Sequence, residues 1–180
     1  MSLHNVTPGE HAPGEFNVII EIPMNADPIK YEVDEASGAL FVDRFMSTAM
    51  HYPCNYGYIP QTLADDGDPV DVLVITPVAL IPGVVVTCRP LGVLKMQDEA
   101  GGDNKLLAVP VNRILSLYTQ WTKPEDLNPL RLKTITHFFE HYKDLEDGKW
   151  VKVLGWHGPD EARAEVVEGI QNWRRAQAAR

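Results

Sequence analysis

The sequence predicts a mainly β fold with two flanking α-helices, and three observations carry that prediction. Short apolar runs recur between residues 16 and 111, each closed off by Gly, Pro, Asn or Asp, the punctuation of strands and turns. Two longer stretches in the last third repeat their apolar residues at helical spacing instead. A chain of 180 residues, 44% of them hydrophobic, fits a single domain over residues 1–180 with a sizeable core.

The first strand is Phe16 to Ile22, with Val18, Ile20 and Ile22 assigned to one face and Asn17, Ile19 and Glu21 to the other. A turn at Asn25-Ala26-Asp27-Pro28 leads into a second strand, where Ile29, Tyr31 and Val33 lie opposite Lys30 and Glu32. Asp34 to Gly38 has hairpin-loop chemistry, so Ala39 to Phe45 returns antiparallel and carries Arg44 toward Lys30. Alternating charges on such strands ordinarily mark a solvated face, the plainer reading of Lys30 and Glu32 taken alone.

Met50 to Tyr58, rich in Tyr and turn formers, reads as an ordered loop packed by aromatics, its hydroxyls serving either the core or a bound anion. Val70 to Ile75 is a buried strand. Pro82-Gly83 then separates it from Val84 to Cys88, which continues through Arg89 toward Leu94. The Asp98 to Lys105 segment is an acidic loop or Gly-rich hairpin tip between the runs Gly92 to Met96 and Leu106 to Val111. Asn128-Pro129 starts a helix, Asn capping and Pro tolerated in the first turn. Ile135, Phe138, Phe139 and Tyr142 recur along it to about Leu145. Trp150 to Trp156 is a further strand. A last helix over Asp160 to Ala176 has acids first, arginines last, and Val166, Ile170 and Trp173 inward.

A formal net charge of −9 disfavours nucleic acid and anionic membrane as partners, since neither is drawn to the overall field. Cys54 and Cys88 form no C-x-x-C pair or disulfide framework, so reduced thiols are expected. Met1 to Glu15 lacks the apolar core of a signal peptide, and no run reaches membrane-spanning length. A cytoplasmic protein is the expectation.

Chemistry concentrates in Asp66-Gly67-Asp68-Pro69-Val70-Asp71-Val72, three carboxylates within six residues ahead of a buried strand. Carboxylates so crowded raise one another's pKa unless a cation compensates, and oxygen donors without nearby His or Cys suit a hard ion such as Mg²⁺. The bland alternative is an acidic solvent loop. An EF-hand fails, because Asp71 would stand where that loop needs Gly and Pro77 where it needs Glu. His137-Phe138-Phe139-Glu140-His141 fits H-x-x-E-H, the zinc pattern. The paired Phe residues favour a packed helix, with both His on its outer surface.

These residues together resemble the soluble inorganic pyrophosphatases of family I, in their bacterial form. The heptad is that family's signature. The likeness extends through Glu21, Lys30, Glu32, Arg44, the Tyr52 to Tyr58 loop, Asp98 to Lys105 and Tyr142-Lys143, leaving only the first dozen residues and the final helix generic. Asp65 and His51 take no role in it.

The resemblance implies an OB-like five-stranded β-barrel with two main helices. It also implies hydrolysis of pyrophosphate to two orthophosphates with several Mg²⁺ ions, which drives biosynthetic reactions forward. Asp66, Asp71 and Asp103 would hold the central ions, with Asp71 bridging two. Asp98, Asp103 and Glu32 would hold ions that accompany substrate, with Glu21 as a supporting acid. Asp68 would take the proton of the attacking water. Lys30, Arg44, Tyr56, Lys105, Tyr142 and Lys143 would bind phosphate oxygens and stabilise the leaving group, with Tyr52 behind them. The resemblance further implies a homohexamer of two stacked trimers, with His137, His141 and Asp144 between trimers. The non-enzymatic alternative, an OB-type module binding oligonucleotides, is opposed by the acidic charge.

Overall fold

The computed structural model describes residues 3–34 and 36–179. Glu35, inside the expected Asp34 to Gly38 loop, lies outside the described residues. Strands β1 (Phe16–Ile22), β2 (Ile29–Val33) and β3 (Leu40–Phe45) lie where period-two alternation puts them. Then come β4 (Asn55–Tyr58), β5 (Asp71–Val74), β6 (Val85–Asp98), β7 (Gly101–Gly102) and β8 (Lys105–Pro110). Helix α1 (Pro129–His141), β9 (Val151–His157) and α2 (Pro159–Ala178) complete the order.

Five strands pair in the sequence β1-β4-β5-β8-β6, and β6 returns to β1, closing a ring with all neighbours antiparallel except β5 and β8. This is the five-stranded barrel that the resemblance implied. β6 is long enough, at 14 residues, to serve several neighbours in turn. Its first residues meet β1, its middle meets β8, and its end meets β9 and β7. A register shift between Pro90 and Gly92 interrupts β6, as expected where a strand contains a Pro that cannot donate to the ladder. β2 and β3 form a separate hairpin.

Three local expectations need correction. A bulge between Ile20 and Ile22 resets the alternation of β1, so Val18 and Ile20 enter one core cluster and Ile22 the other. The second half of the Tyr-rich segment is a strand, β4, between β1 and β5. Gly57 permits it, because a Cβ there would lie 2.0 Å from the Ile19 carbonyl oxygen. α1 ends at His141, and Tyr142 to Leu145 continue as turns.

Adjacent strand residues feed the two cores. Leu73 and Leu107 join Ile135, Phe138 and Phe139 of α1, whereas Val72, Val74 and Leu106 join Ala162 and Val166 of α2. Burying Phe138 and Phe139 stabilises α1's seat by about 2 kcal/mol each. That seat fixes where Tyr142 and Lys143 emerge.

Candidate active site

Each acidic segment is placed by a specific piece of backbone. In the heptad, Asp66 Oδ1 accepts from the Asp68 amide at 3.0 Å, and Gly67 turns the chain at φ +93°, which leaves Asp66 and Asp68 exposed at the tip. Asp71 then opens β5. Parallel pairing sets it beside Lys105 at the start of β8, and Lys105 Nζ donates to Asp71 Oδ2 at 2.5 Å and also to Asp103. Asp98 closes β6 and accepts from Lys143 Nζ at 2.7 Å, so the turn after α1 is tied to the end of β6.

The β2–β3 hairpin supplies the opposite wall. Its register pairs Lys30 with Arg44, and the Lys30 ammonium donates to Glu32. Glu21, buried on β1, accepts from the Val33 amide at 2.7 Å and thereby fastens the hairpin to the barrel. The charges on β2 face a cleft rather than open solvent, unlike the plainer reading of these residues.

Between the walls lies a cavity of about 500 Å³. Glu21, Lys30, Glu32, Arg44, Tyr56, Asp66, Asp68, Asp71, Asp98, Asp103, Lys105, Tyr142 and Lys143 all line it, as does Tyr52. The structure thus brings together every residue of the predicted set. Glu99 and Lys149, paired at 2.5 Å, line it as well. Glu99 stood within the acidic segment already singled out, but nothing marked Lys149, which reaches the cleft through the turn after α1.

Burial and crowding shift the ionisation of several groups in the cleft. Burial, joined by Asp71 and Glu32, pushes Glu21 up to about 8 against the hydrogen bond from Val33. Burial raises Asp71 despite Lys105, with Asp103 adding to the rise, and burial with Asp103 and Asp68 nearby raises Asp66. Lys105 is buried yet held well above the usual lysine value by Asp71 and Asp103. Asp98 also resists burial and is lowered, chiefly by Lys143 and the Ala100 amide. Burial drives Tyr56 well up, and its ring lies 5.7 Å from the Lys105 ammonium.

The inorganic pyrophosphatase family model matches residues 18–174, nearly the whole described chain. This chain belongs to the inorganic pyrophosphatase family. Among its relatives, the inorganic pyrophosphatase of Escherichia coli (strain K12) is 61% identical over 171 residues, 95% of this chain and 97% of that one. That of Salmonella typhimurium (strain LT2) is 62% identical over the same shares. The solved structure of an inorganic pyrophosphatase from Coxiella burnetii superposes with a TM-score of 0.90 at 52% identity, covering 93% of this chain and 99% of that chain. The family likeness read from the heptad and its accompanying bases therefore holds over the chain, and pyrophosphatases of this family are metal-dependent.

The cleft suits a hard cation. Its acidic donors are all oxygens, burial and neighbouring carboxylates raise Asp66 and Asp71, and an ammonium already stands between Asp71 and Asp103 as a cation would. Among the described residues no three His, Cys, Asp or Glu groups converge at ligand spacing. The physical reason is local, since Lys105 and Lys143 draw the carboxylates into ion pairs. Among the described residues no helix is long and apolar enough to cross a membrane.

Proposed function

We infer that this chain hydrolyses inorganic pyrophosphate to two orthophosphates in a Mg²⁺-dependent reaction within the described cleft, driving forward the biosynthetic reactions that release pyrophosphate. The observation that carries this reading is the convergence of the acidic and basic set on one cavity in a chain of this family. Asp66, Asp71, Asp98, Asp103 and Glu32 are the residues we assign to several Mg²⁺ ions, with Glu21 in support. Bound there, Mg²⁺ supplies positive charge that neutralises phosphate oxygens and makes water a stronger nucleophile.

The protein's own groups do the rest. Asp68, exposed at the tip of its turn, accepts the proton of the water that attacks phosphorus, as the bond to the bridging oxygen breaks. Lys30, Arg44 and Tyr56 are assigned to the reacting phosphoryl group, and Lys105, Tyr142 and Lys143 to the remaining phosphate oxygens. A lysine meets a phosphate as a compact charge, whereas Arg44 can meet two oxygens at once. Release of Lys105 from Asp71 and Asp103 frees its ammonium for that role.

One domain is supported by both helices packing on a single ring of strands, a cytoplasmic setting by buried reduced Cys54 and Cys88, and a hexamer by the exposed His137 and His141, their rings 4.7 Å apart. Orthophosphate release from pyrophosphate, with Mg²⁺ and then with excess EDTA, is the direct test. Release that survives removal of divalent ions would refute the reading.

A further inference from the structure

We propose that Glu165 on α2 is a positioning residue for the acidic turn that presents Asp103 and Lys105 to the cleft, and that it sets metal affinity without touching metal or substrate. The proposal rests on the assignment of Asp103 as a metal carboxylate. Nothing in the pattern of α2 marks Glu165, which reads as one more acid on a solvated helix.

Asn104 is flanked by the two buried site residues. Asp103 and Lys105 pair with each other and line the cavity, whereas the Asn104 side chain takes the other direction, as alternation along an extended segment requires. Its amide nitrogen donates to Glu165 Oε1 at 2.9 Å, and its amide oxygen accepts from the Met96 backbone at 3.3 Å. Asn104 is therefore pinned between β6 and α2. Glu165 is itself held, because Lys95 of β6 donates to the same oxygen.

Nothing else on α2 grips this turn through a side-chain hydrogen bond among the described residues. Glu165 holds Asn104, and Asn104 is the chain neighbour of Asp103. Loss of the Glu165 acceptor leaves the Asn104 amide without its partner and lets the turn between β7 and β8 shift. A shift there moves Asp103 relative to Asp71 on the neighbouring strand, and two carboxylates that share ions tolerate little change in separation.

The test uses the full chain, stripped with EDTA and titrated with Mg²⁺ alone by calorimetry, beside phosphate release measured against Mg²⁺ concentration. Glu165→Ala is expected to weaken Mg²⁺ binding by about 10-fold, the low end for loss of a partner behind a metal ligand. Glu165→Gln keeps an oxygen for Asn104 and should bind Mg²⁺ within about twofold of wild type. Lys95→Met removes the ion pair but not the Asn104 contact, so it should lower the melting temperature of the metal-free protein and leave Mg²⁺ affinity in place. Equal weakening in the Ala and Gln variants would show that only the charge of Glu165 matters, and equal weakening in Lys95→Met would show a merely structural role. Either result overturns the proposal. Failure of the underlying reading is separable, because wild type would then release no phosphate at any Mg²⁺ concentration.

Discussion

At the scale of single residues, Asp68 and Glu21 show how differently two carboxylates of one cleft are treated. Asp68 is exposed and structurally undemanding, so Asp68→Asn should keep the melting temperature while lowering turnover by about 10²-fold or more. Phosphate release under saturating Mg²⁺ measures this, and near-normal rates across pH would remove Asp68 from its role. Glu21 ionises near 4.5 when free, but burial, with Asp71 and Glu32 adding, moves it to about 8 in the fold. Between those values the folded chain binds the extra proton. The associated stability is complete below about 4.5 and is lost as pH rises through about 8. Glu21→Gln, which keeps an acceptor for the Val33 amide, should therefore outlast wild type on heating at pH 9 by more than at pH 5.5. Calorimetry in EDTA at both pH values decides it, and an equal gap would contradict the assigned shift. The acidic residues of the cleft were legible because three carboxylates in six residues need an explanation. Lys30 and Glu32 were not legible by themselves, since alternation cannot say whether a polar face meets water or another wall. Only the Glu21–Val33 tie and the Lys30–Arg44 register settle which it is.

At the scale of elements, α2 does more than its sequence pattern implies. Its amphipathic pattern gave the helix and its inward residues, but not its grip on the signature loop. The Gly169 carbonyl accepts from the Leu63 amide at 2.9 Å, and Asn172 donates to the Leu63 carbonyl at 3.3 Å. Gly169 lies so close to that loop that a Cβ would stand 2.6 Å from Val70 Cγ2 and 3.2 Å from Thr62 Cβ. Thr62 is not free to yield, since its hydroxyl donates to the Ile59 carbonyl and accepts from the Val70 amide. Gly169→Ala should thus destabilise by about 1–3 kcal/mol, although alanine favours a helix interior by about 1 kcal/mol. Urea unfolding of the two proteins measures the difference, and a variant as stable as wild type would show that α2 moves away freely. The strand β4 is hidden in the sequence for a related reason. Its Asn-Tyr-Gly-Tyr composition signals a turn, and what makes it a strand is the space that Gly57 leaves for β1.

At the scale of the whole molecule, α1 has two faces with separate duties. Phe138 and Phe139 are buried, while His137 and His141 are exposed on the outer side, with His141 Nδ1 2.8 Å from Asp144 Oδ2. A contact in a closed symmetric assembly is repeated at every equivalent site, so small changes multiply. Replacing both His with Gln should shift the proposed hexamer toward trimers while leaving Tyr142 and Lys143 in place. Sedimentation velocity at matched concentration is the measurement, and an unchanged hexamer would overturn the assignment.

The closed ring of strands also bears on how the chain reaches its native state. β1 meets β6 through residues 16–19 and 85–88, and β5 meets β8 in parallel through residues 71–74 and 105–108. None of these pairings is local, and each requires a long loop to close before its hydrogen bonds repay the lost chain entropy. Chains ordered by such distant pairings fold over milliseconds to seconds, not microseconds. Until the ring shuts, β1, rich in Ile, and β6, rich in Val and Leu, are nascent edges open to pairing with another copy of the chain. Protection against that misassembly arrives with the β1–β6 hydrogen bonds themselves.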